Sequence, residues 1–291
     1  MTGQLLSLTV ILPTYNERDN IPILIAGILH HVRTPVEVLV VDDNSPDGTW
    51  QVVQEIAARE ARDCKEGEAK VHLLRRTTER GLTSAIWAGI RAATPQASTP
   101  PRTGEAQAGP SGASTEAVAW MDCDLSMPPE VIPALIEQLA AGADIAIGSR
   151  YVRGGSDRGH SLMARAFSVT INTFASLLLG WGVRDYTSGF VAARREVFDR
   201  LTLRGDYGEY CIDLLARARM MGLRVAEVPY ACVARASGES KTGGAFVDYL
   251  RRGWKYVVTV LKLAALRARG GGSDRSASRG SESVQSVPRI R

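Results

Sequence analysis

The chain has 291 residues, 45% of them hydrophobic and 23% charged, with a formal net charge of +4 and a pI near 9.0. That length and apolar content can bury one substantial core, which excludes a wholly disordered or fibrous chain. The mild basicity suits an anionic partner, whether nucleic acid, phosphorylated substrate or acidic lipid, and does not separate them.

Leu8–Pro13 (LTVILP) and Val36–Asp42 (VEVLVVD) are nearly continuous aliphatic and β-branched runs, as expected of parallel strands covered on both faces. Asn20–His31 between them reads as a helix, and so does Gln51–Arg62. Lys70–Leu74 reads as a third strand and Leu82–Ala93 as the next helix. The strand Ala117–Asp122 (AVAWMD), the helix Glu130–Ala141 and the strand Asp144–Gly148 continue the alternation. Repeated β–α units predict an α/β fold with a mostly parallel central sheet flanked by helices, and ligands beyond the carboxyl ends of the strands.

Thr94–Thr115, rich in Pro, Gly, Ser and Thr, interrupts this rhythm and reads as a surface insertion. Phe246–Leu266 returns to a helical pattern, with Phe246, Leu250, Trp254, Val257, Leu261 and Ala264 on one stripe and Arg251, Arg252, Lys255 and Lys262 mostly elsewhere. A basic amphipathic helix of this kind suits a lipid headgroup layer, or simply packing on its own domain. Gly270–Arg291 is a polar tail with almost no core-forming residues and is expected to be disordered.

No stretch reaches the roughly 18 uninterrupted apolar residues that span a bilayer. The nearest, Ala166–Val183, carries Ser, Thr, Asn and Gly and is expected in an interface or the core. Cys64, Cys123, Cys211 and Cys232 lack the paired spacing of zinc motifs, and no signal peptide is evident, so they read as reduced thiols of a cytosolic protein. His30, His31, His72 and His160 show no metal spacing either.

The sharpest chemical feature is Asp122-Cys123-Asp124 at the end of an apolar run. Two carboxylates at i and i+2 past a buried strand can converge on one hard cation that bridges to a diphosphate. Such a motif also occurs by chance in many loops. A second acidic cluster, Asp42-Asp43-Asn44-Ser45-Pro46-Asp47-Gly48, ends the second strand. Asp42 and Asp43 sit where α/β proteins place the carboxylate that holds a ribose or base, although Asp47-Gly48 also suits a plain turn. Pro13-Thr14-Tyr15-Asn16-Glu17 ends the first strand, where a ring and a carboxylate can bracket a nucleobase. Three strand ends on one sheet edge together indicate a nucleotide site.

PTYNE (13–17), VVDDNSPDGT (40–49), RGLTSAIWAG (80–89), MDCDLSMPPE (121–130), GSRY (148–151), DYTSGF (185–190), EVPY (227–230) and RASGESK (235–241) occur in this order. Together they resemble the dolichol-phosphate mannose synthase branch of the family 2 glycosyltransferases, from about residue 8 to about 260. The resemblance implies a GT-A fold, placed over 1–245; the residue pattern adds a flexible insertion at 94–116, an amphipathic interfacial helix over 246–268 and a disordered tail over 269–291. It implies a GDP-mannose donor, Mg2+ or Mn2+, and a dolichyl or polyprenyl phosphate acceptor. Pro13, Tyr15, Glu17, Val41 and Asp43 would hold the guanosine, with Cys123 beside the donor. Asp122 and Asp124 would bind the metal, with Ser126 where some relatives have a glutamine ligand. Arg235 and Lys241 would neutralise the donor diphosphate. Arg150 would take the acceptor phosphate, with Arg165 and Ser168 as further partners and Arg158 as a fallback for Arg165. An ionised phosphate needs positioning more than a base; if a base acts, Asp124 or Asp185 is the candidate. Asp124 and Arg150 would carry the catalysis.

The expected product is polyprenyl-phosphate β-mannose, made by a peripheral enzyme on the cytosolic face of a membrane, with room for a separate membrane subunit. A UDP-sugar donor such as UDP-glucose or UDP-N-acetylglucosamine, or a non-catalytic nucleotide-binding membrane-surface module, are the rival readings. A polysaccharide acceptor is disfavoured because no Q-x-x-R-W motif occurs, and nucleic acid because no recognition helix or aromatic-basic platform does.

Overall fold

A computed structural model describes residues 6–63, 70–93, 116–235 and 246–277. Cys64, the Thr94–Thr115 insertion, Lys241 and the chain after Ala277 lie outside the described residues. The elements run β1 (Leu8–Thr14), α1 (Ile21–His31), β2 (Val36–Asp42), α2 (Thr49–Asp63), β3 (Val71–Arg75), α3 (Leu82–Ala92), β4 (Ala117–Trp120), α4 (Ile132–Ala140) and β5 (Ile145–Ser149). They continue with β6 (Ser156–Asp157), α5 (Leu162–Leu179), β7 (Val191–Arg194), α6 (Val197–Arg200), α7 (Glu209–Met220), β8 (Val225–Pro229), β9 (Ala231–Cys232) and α8 (Phe246–Ala277).

Seven strands form one sheet in the order β3-β2-β1-β4-β7-β5-β8. All pairs are parallel except those of β7, which runs antiparallel between β4 and β5. The first strands read as continuous apolar runs because both of their faces are covered. Val10, Leu12, Val38 and Val40 enter one core layer with Leu24, Ile28 and Leu135 of α1 and α4. The alternate residues Ile11, Leu39 and Val41 enter the other, with Ile86 of α3 and Leu214 of α7. Gly89 lets α3 lie directly on the sheet: a Cβ there would sit 2.4 Å from Ile11 Cγ2. On that same face the Trp120 indole N–H donates to the Tyr210 hydroxyl at 2.9 Å, joining β4 to α7 with the ring's polar atom satisfied.

Two boundaries differ from the sequence pattern for local reasons. β4 stops at Trp120, the last residue with a ladder partner on β7, so Asp122–Asp124 lie in the loop beyond the sheet. The helix expected from Glu130 begins as a 3-10 turn, Pro129–Val131: the Ile132 N–H bonds the Pro129 carbonyl three residues back, and Pro133 has no N–H to reach that carbonyl from the α-helical position.

α5 packs on α8, and α8 packs in turn on α7. Contrary to expectation, α5 is long and apolar enough to cross a membrane by length and composition, because its aliphatic residues keep the average hydropathy high although polar residues interrupt the run. Its polar residues are divided: Asn172 and Ser176 are buried, whereas Thr170 and Thr173 are exposed and their hydroxyls bond carbonyls one turn back. α8 runs on to Ala277, past the end of the amphipathic stripe.

Candidate active site

Three strand ends meet at the carboxyl edge of the sheet, and each turns back through a left-handed residue: Asn16 (φ 56°) after β1, Asn44 (φ 55°) after β2 and Leu125 (φ 64°) after β4. Asparagine tolerates this region well, whereas leucine does so at a cost, and Leu125 stands right beside the carboxylate pair. Asp42 anchors the edge: its carboxylate accepts from Thr14 Oγ1 (2.8 Å), Ser45 N–H (2.8 Å) and Ser45 Oγ (2.6 Å). Asp47 accepts from the Thr49 N–H (2.9 Å) and Oγ1 (2.6 Å), capping α2. Both are scaffold carboxylates.

The edge encloses a cleft of about 320 Å3, walled by Pro13, Tyr15, Glu17, Asp43, Asp122, Cys123, Asp124 and Arg235 among others. Val41 is not part of its wall; it is buried in β2 beside Gly89, because an inward position of a central strand faces a helix. Asp43 is already engaged, accepting from Arg76 Nε at 2.7 Å and from the Gly81 N–H at 2.8 Å. The Glu17 carboxylate accepts from Asn20 Nδ2 at 2.8 Å. The Arg80 guanidinium lies over the Tyr15 ring, 3.4 Å from its centre.

Asp122 and Asp124 face one another electrostatically. Burial first, and then the Asp124 charge, push the Asp122 carboxyl up to about 6 against the opposing pull of Arg235. Arg235 Nε pairs with Asp124 Oδ2 at 3.0 Å, and the Ser126 N–H donates to Asp124 Oδ1 at 3.1 Å. Two carboxylates that cannot both ionise cheaply offer an all-oxygen donor set that fits a hard divalent cation, while Ser126, buried and absent from the cleft wall, meets Asp124 through its backbone N–H. Cys123 is buried, with its thiol toward the Pro13 carbonyl at 3.4 Å.

Beside this cleft lies a larger groove of about 590 Å3 between α5 and α8, lined by Phe167, Ile171, Phe174, Trp254 and Val257 and closed at one end by Arg150, Ser168 and Thr187. Tyr207 lines both cavities, so they adjoin there. Arg150, just past β5, is gripped in a fork: Nε and Nη2 donate to the two Asp185 oxygens at 2.9 and 2.8 Å, and Nη2 also to Thr187 Oγ1 at 2.9 Å. Among the described residues its Nη1 makes a single long contact, 3.4 Å, to Asp157. Asp185 is fully buried and also accepts the Arg150 N–H, while Glu227 holds the Arg184 and Asp185 amides at 2.8 and 3.1 Å. A carboxylate so committed braces an arginine and is poorly placed to act as a base. Ser168 Oγ lies 3.3 Å from Thr187 Oγ1. Arg165 and Arg158 are exposed and absent from the groove's lining, because helical phase and the turn before α5 carry them away from it.

Several contributors are not evident from sequence patterns alone. Arg76 and Arg80 flank or open the RGLTSAIWAG motif, and the charge density of RRTTER (75–80) is the available signal. Asp206 and Tyr207, in the RGDYGE loop, line the cleft, with Lys255 Nζ of α8 on Asp206 at 2.8 Å. Asp157, His160 and Cys232, which no spacing in the sequence connects, converge into a cluster of metal-ligand types beside the groove, because β6 and β9 pair across it.

The glycosyl transferase family 2 model matches residues 9–99 and 104–202. The chain is 40% identical over 238 residues to the polyprenol monophosphomannose synthase of Mycolicibacterium smegmatis, covering 81% of this chain and 80% of that one. It is 34% identical over 250 residues to the dolichol-phosphate mannosyltransferase of Pyrococcus furiosus, covering 84% of this chain and 62% of that longer one. An undecaprenyl-phosphate mannosyltransferase of Micrococcus luteus is 33% identical over 242 residues, 81% of this chain and 88% of its own. Among solved structures, glucosyl-3-phosphoglycerate synthase of Mycobacterium tuberculosis, crystallised with Mn2+, uridine diphosphate and glucosyl-3-phosphoglycerate, superposes with a TM-score of 0.60 at 20% identity over 89% of this chain and 80% of that one. That likeness is one of fold, the GT-A arrangement of mostly parallel sheet and flanking helices. With the family model spanning well over half its length, this chain belongs to glycosyl transferase family 2 and is a glycosyltransferase.

Proposed function

We propose that this protein transfers mannose from GDP-mannose to a polyprenyl phosphate, giving polyprenyl-phosphate β-mannose. The observation that carries the reading is the junction of two unlike cavities at Tyr207: a cleft of carboxylates with an arginine, and an apolar groove ending at Arg150. The first suits a nucleoside diphosphate sugar; the second suits a hydrocarbon chain with an anionic head. The names of the three curated relatives support mannose as the sugar and a polyprenyl-type phosphate as the acceptor.

In this mechanism Tyr15, Glu17 and Asp43 flank the base and ribose, and Arg235 meets the diphosphate. Asp122 and Asp124, with Ser126 beside them, would hold Mg2+ or Mn2+, which supplies positive charge to the departing diphosphate. Arg150, fixed by Asp185 and Thr187, presents Nη1 to the acceptor phosphate. A phosphate oxygen attacks the anomeric carbon as the bond to the diphosphate breaks on the opposite face, so one displacement inverts configuration. The nucleophile is already ionised at neutral pH, so no side chain must take a proton, and positioning with charge screening carries the rate.

The same reading places the protein peripherally on the cytosolic face of a membrane. Its support is the exposed apolar surface shared by α5 and α8 and the loop after α5: Leu162, Leu177, Trp181 and Trp254 are all more than half exposed. The test uses purified protein, a short polyprenyl phosphate, and labelled GDP-mannose beside labelled UDP-glucose, with divalent metal or EDTA and an Asp124→Ala lane. Metal-dependent label in the lipid phase from GDP-mannose, lost in the variant, supports the reading. Transfer only from the UDP-sugar refutes the donor while keeping the mechanism.

A further inference from the structure

Asp157 and Cys232 are register partners in the small parallel ladder of β6 and β9. His160 stands three residues further on and folds back over them. Its Nδ1 lies 2.8 Å from Asp157 Oδ1 and 3.8 Å from Cys232 Sγ, and the three donor atoms all lie within 4.8 Å of one another. The turn that achieves this is tightly built. A Cβ on Gly159 would lie 2.1 Å from the Val233 carbonyl oxygen, so only glycine lets the loop rest on β9. The Arg158 N–H donates to the Cys232 carbonyl at 2.9 Å, and the His160 N–H to Asp157 Oδ1 at 3.3 Å. Asp157 and Cys232 are 6% and 1% exposed, whereas the His160 side chain is 40% exposed and open to an incoming ion.

Tetrahedral zinc, with bonds of about 2.3 Å to sulfur and about 2.0–2.1 Å to nitrogen and oxygen, sets its ligand atoms roughly 3.3–3.6 Å apart. The observed spacings bracket that range, so shifts on the order of 1 Å complete the geometry. We propose that Asp157, His160 and Cys232 form a zinc site, separate from Asp122 and Asp124, that fastens the loop after β5 to β9. A thiolate with an imidazole selects a borderline ion over Mg2+, which prefers oxygen alone. Coordination displaces the thiol proton. The carboxylate and thiolate then balance the two charges of the ion beside a neutral histidine.

Two of the three ligands line the groove, so the fourth coordination position is reached from there by water or a phosphate oxygen. The site touches the acceptor end through Asp157, whose Oδ2 lies 3.4 Å from Arg150 Nη1. Three residues beyond Cys232 the chain reaches Arg235 of the other cleft. Bound zinc thereby ties the loop that follows Arg150 to the strand that leads into Arg235.

The test uses the full-length chain stripped with a chelator, Co2+ as the optical probe and Zn2+ as its competitor. One equivalent of Co2+ gives a thiolate-to-cobalt charge-transfer band that Zn2+ abolishes; Cys232→Ser removes the band, and Asp124→Asn keeps it. His160→Ala, at an exposed position the fold tolerates, weakens zinc at least ~100-fold, no less than the loss of a ligand's own hydrogen-bond partner costs. Absence of a thiolate band in the wild type overturns the proposal. So does zinc binding that survives His160→Ala and disappears in Asp124→Asn.

Discussion

Asp185→Asn removes one charge and almost no volume, and its consequences can be worked from the bonds the carboxylate makes. It accepts from Arg150 Nε (2.9 Å), Nη2 (2.8 Å) and N–H (3.1 Å) while fully buried. An asparagine offers one acceptor there and turns an NH2 toward a guanidinium. Breaking a buried pair from one side costs about 3–5 kcal/mol. Asp157 and Thr187 still face Arg150, which puts the loss at the lower end, about 3 kcal/mol. For a domain of this size that is a fall in Tm of about 6–12 °C. In catalysis the loosened guanidinium raises the acceptor KM by about tenfold, equivalent to about 1.4 kcal/mol, and leaves the donor KM and most of kcat intact. Thermal melts and initial rates with each substrate varied measure all of these. A kcat lower by about 100- to 10,000-fold at unchanged acceptor KM would instead identify Asp185 as a general base and refute its role as a brace.

Other perturbations probe other parts of the molecule. Asp122, pushed up to about 6, favours the metal-free fold when protonated; that advantage is complete below about pH 4 and lost as pH rises through about 6. In EDTA the wild type should therefore lose on the order of 3 kcal/mol relative to Asp122→Asn across that window, measured by urea melts at pH 4 and pH 7. Parallel curves for the two proteins would contradict the assignment. Gly89→Ala places a methyl 2.4 Å from Ile11 Cγ2, so overpacking of about 1–3 kcal/mol outweighs the roughly 1 kcal/mol gain in helix propensity, and the urea midpoint should fall. Trp181→Glu with Trp254→Glu puts charge on two highly exposed rings and should abolish flotation with anionic liposomes while leaving Tm within a few degrees; unchanged flotation would remove this face from the membrane contact.

What could be read in the sequence was what repeats or what is contiguous. Strands β1 and β2 announced themselves as nearly continuous apolar and β-branched runs, and the Asp122–Asp124 pair as a motif at a strand end. β7 did not: four residues, VAAR, become a strand only because β4 and β5 leave an antiparallel slot between them. Asp43 and Arg76 are 33 residues apart, and their pairing depends on β2 and β3 lying side by side. The His160–Cys232 approach spans 72 residues and is made by two strands of two residues each, too short for any periodicity. Val41 is the opposite case. A family motif placed it at the ligand, while its side chain is committed to the core by the alternation of β2.

If the cleft and the groove are the donor and acceptor halves of one active site, each half should be separable kinetically. Initial rates with GDP-mannose and polyprenyl phosphate varied independently, in Arg235→Ala and Thr187→Val beside the wild type, test this most directly. The expected pattern is crossed: Arg235→Ala raises the donor KM by about tenfold or more and spares the acceptor KM, and Thr187→Val does the reverse. Both variants shifting the same KM, or Thr187→Val shifting neither, would contradict it.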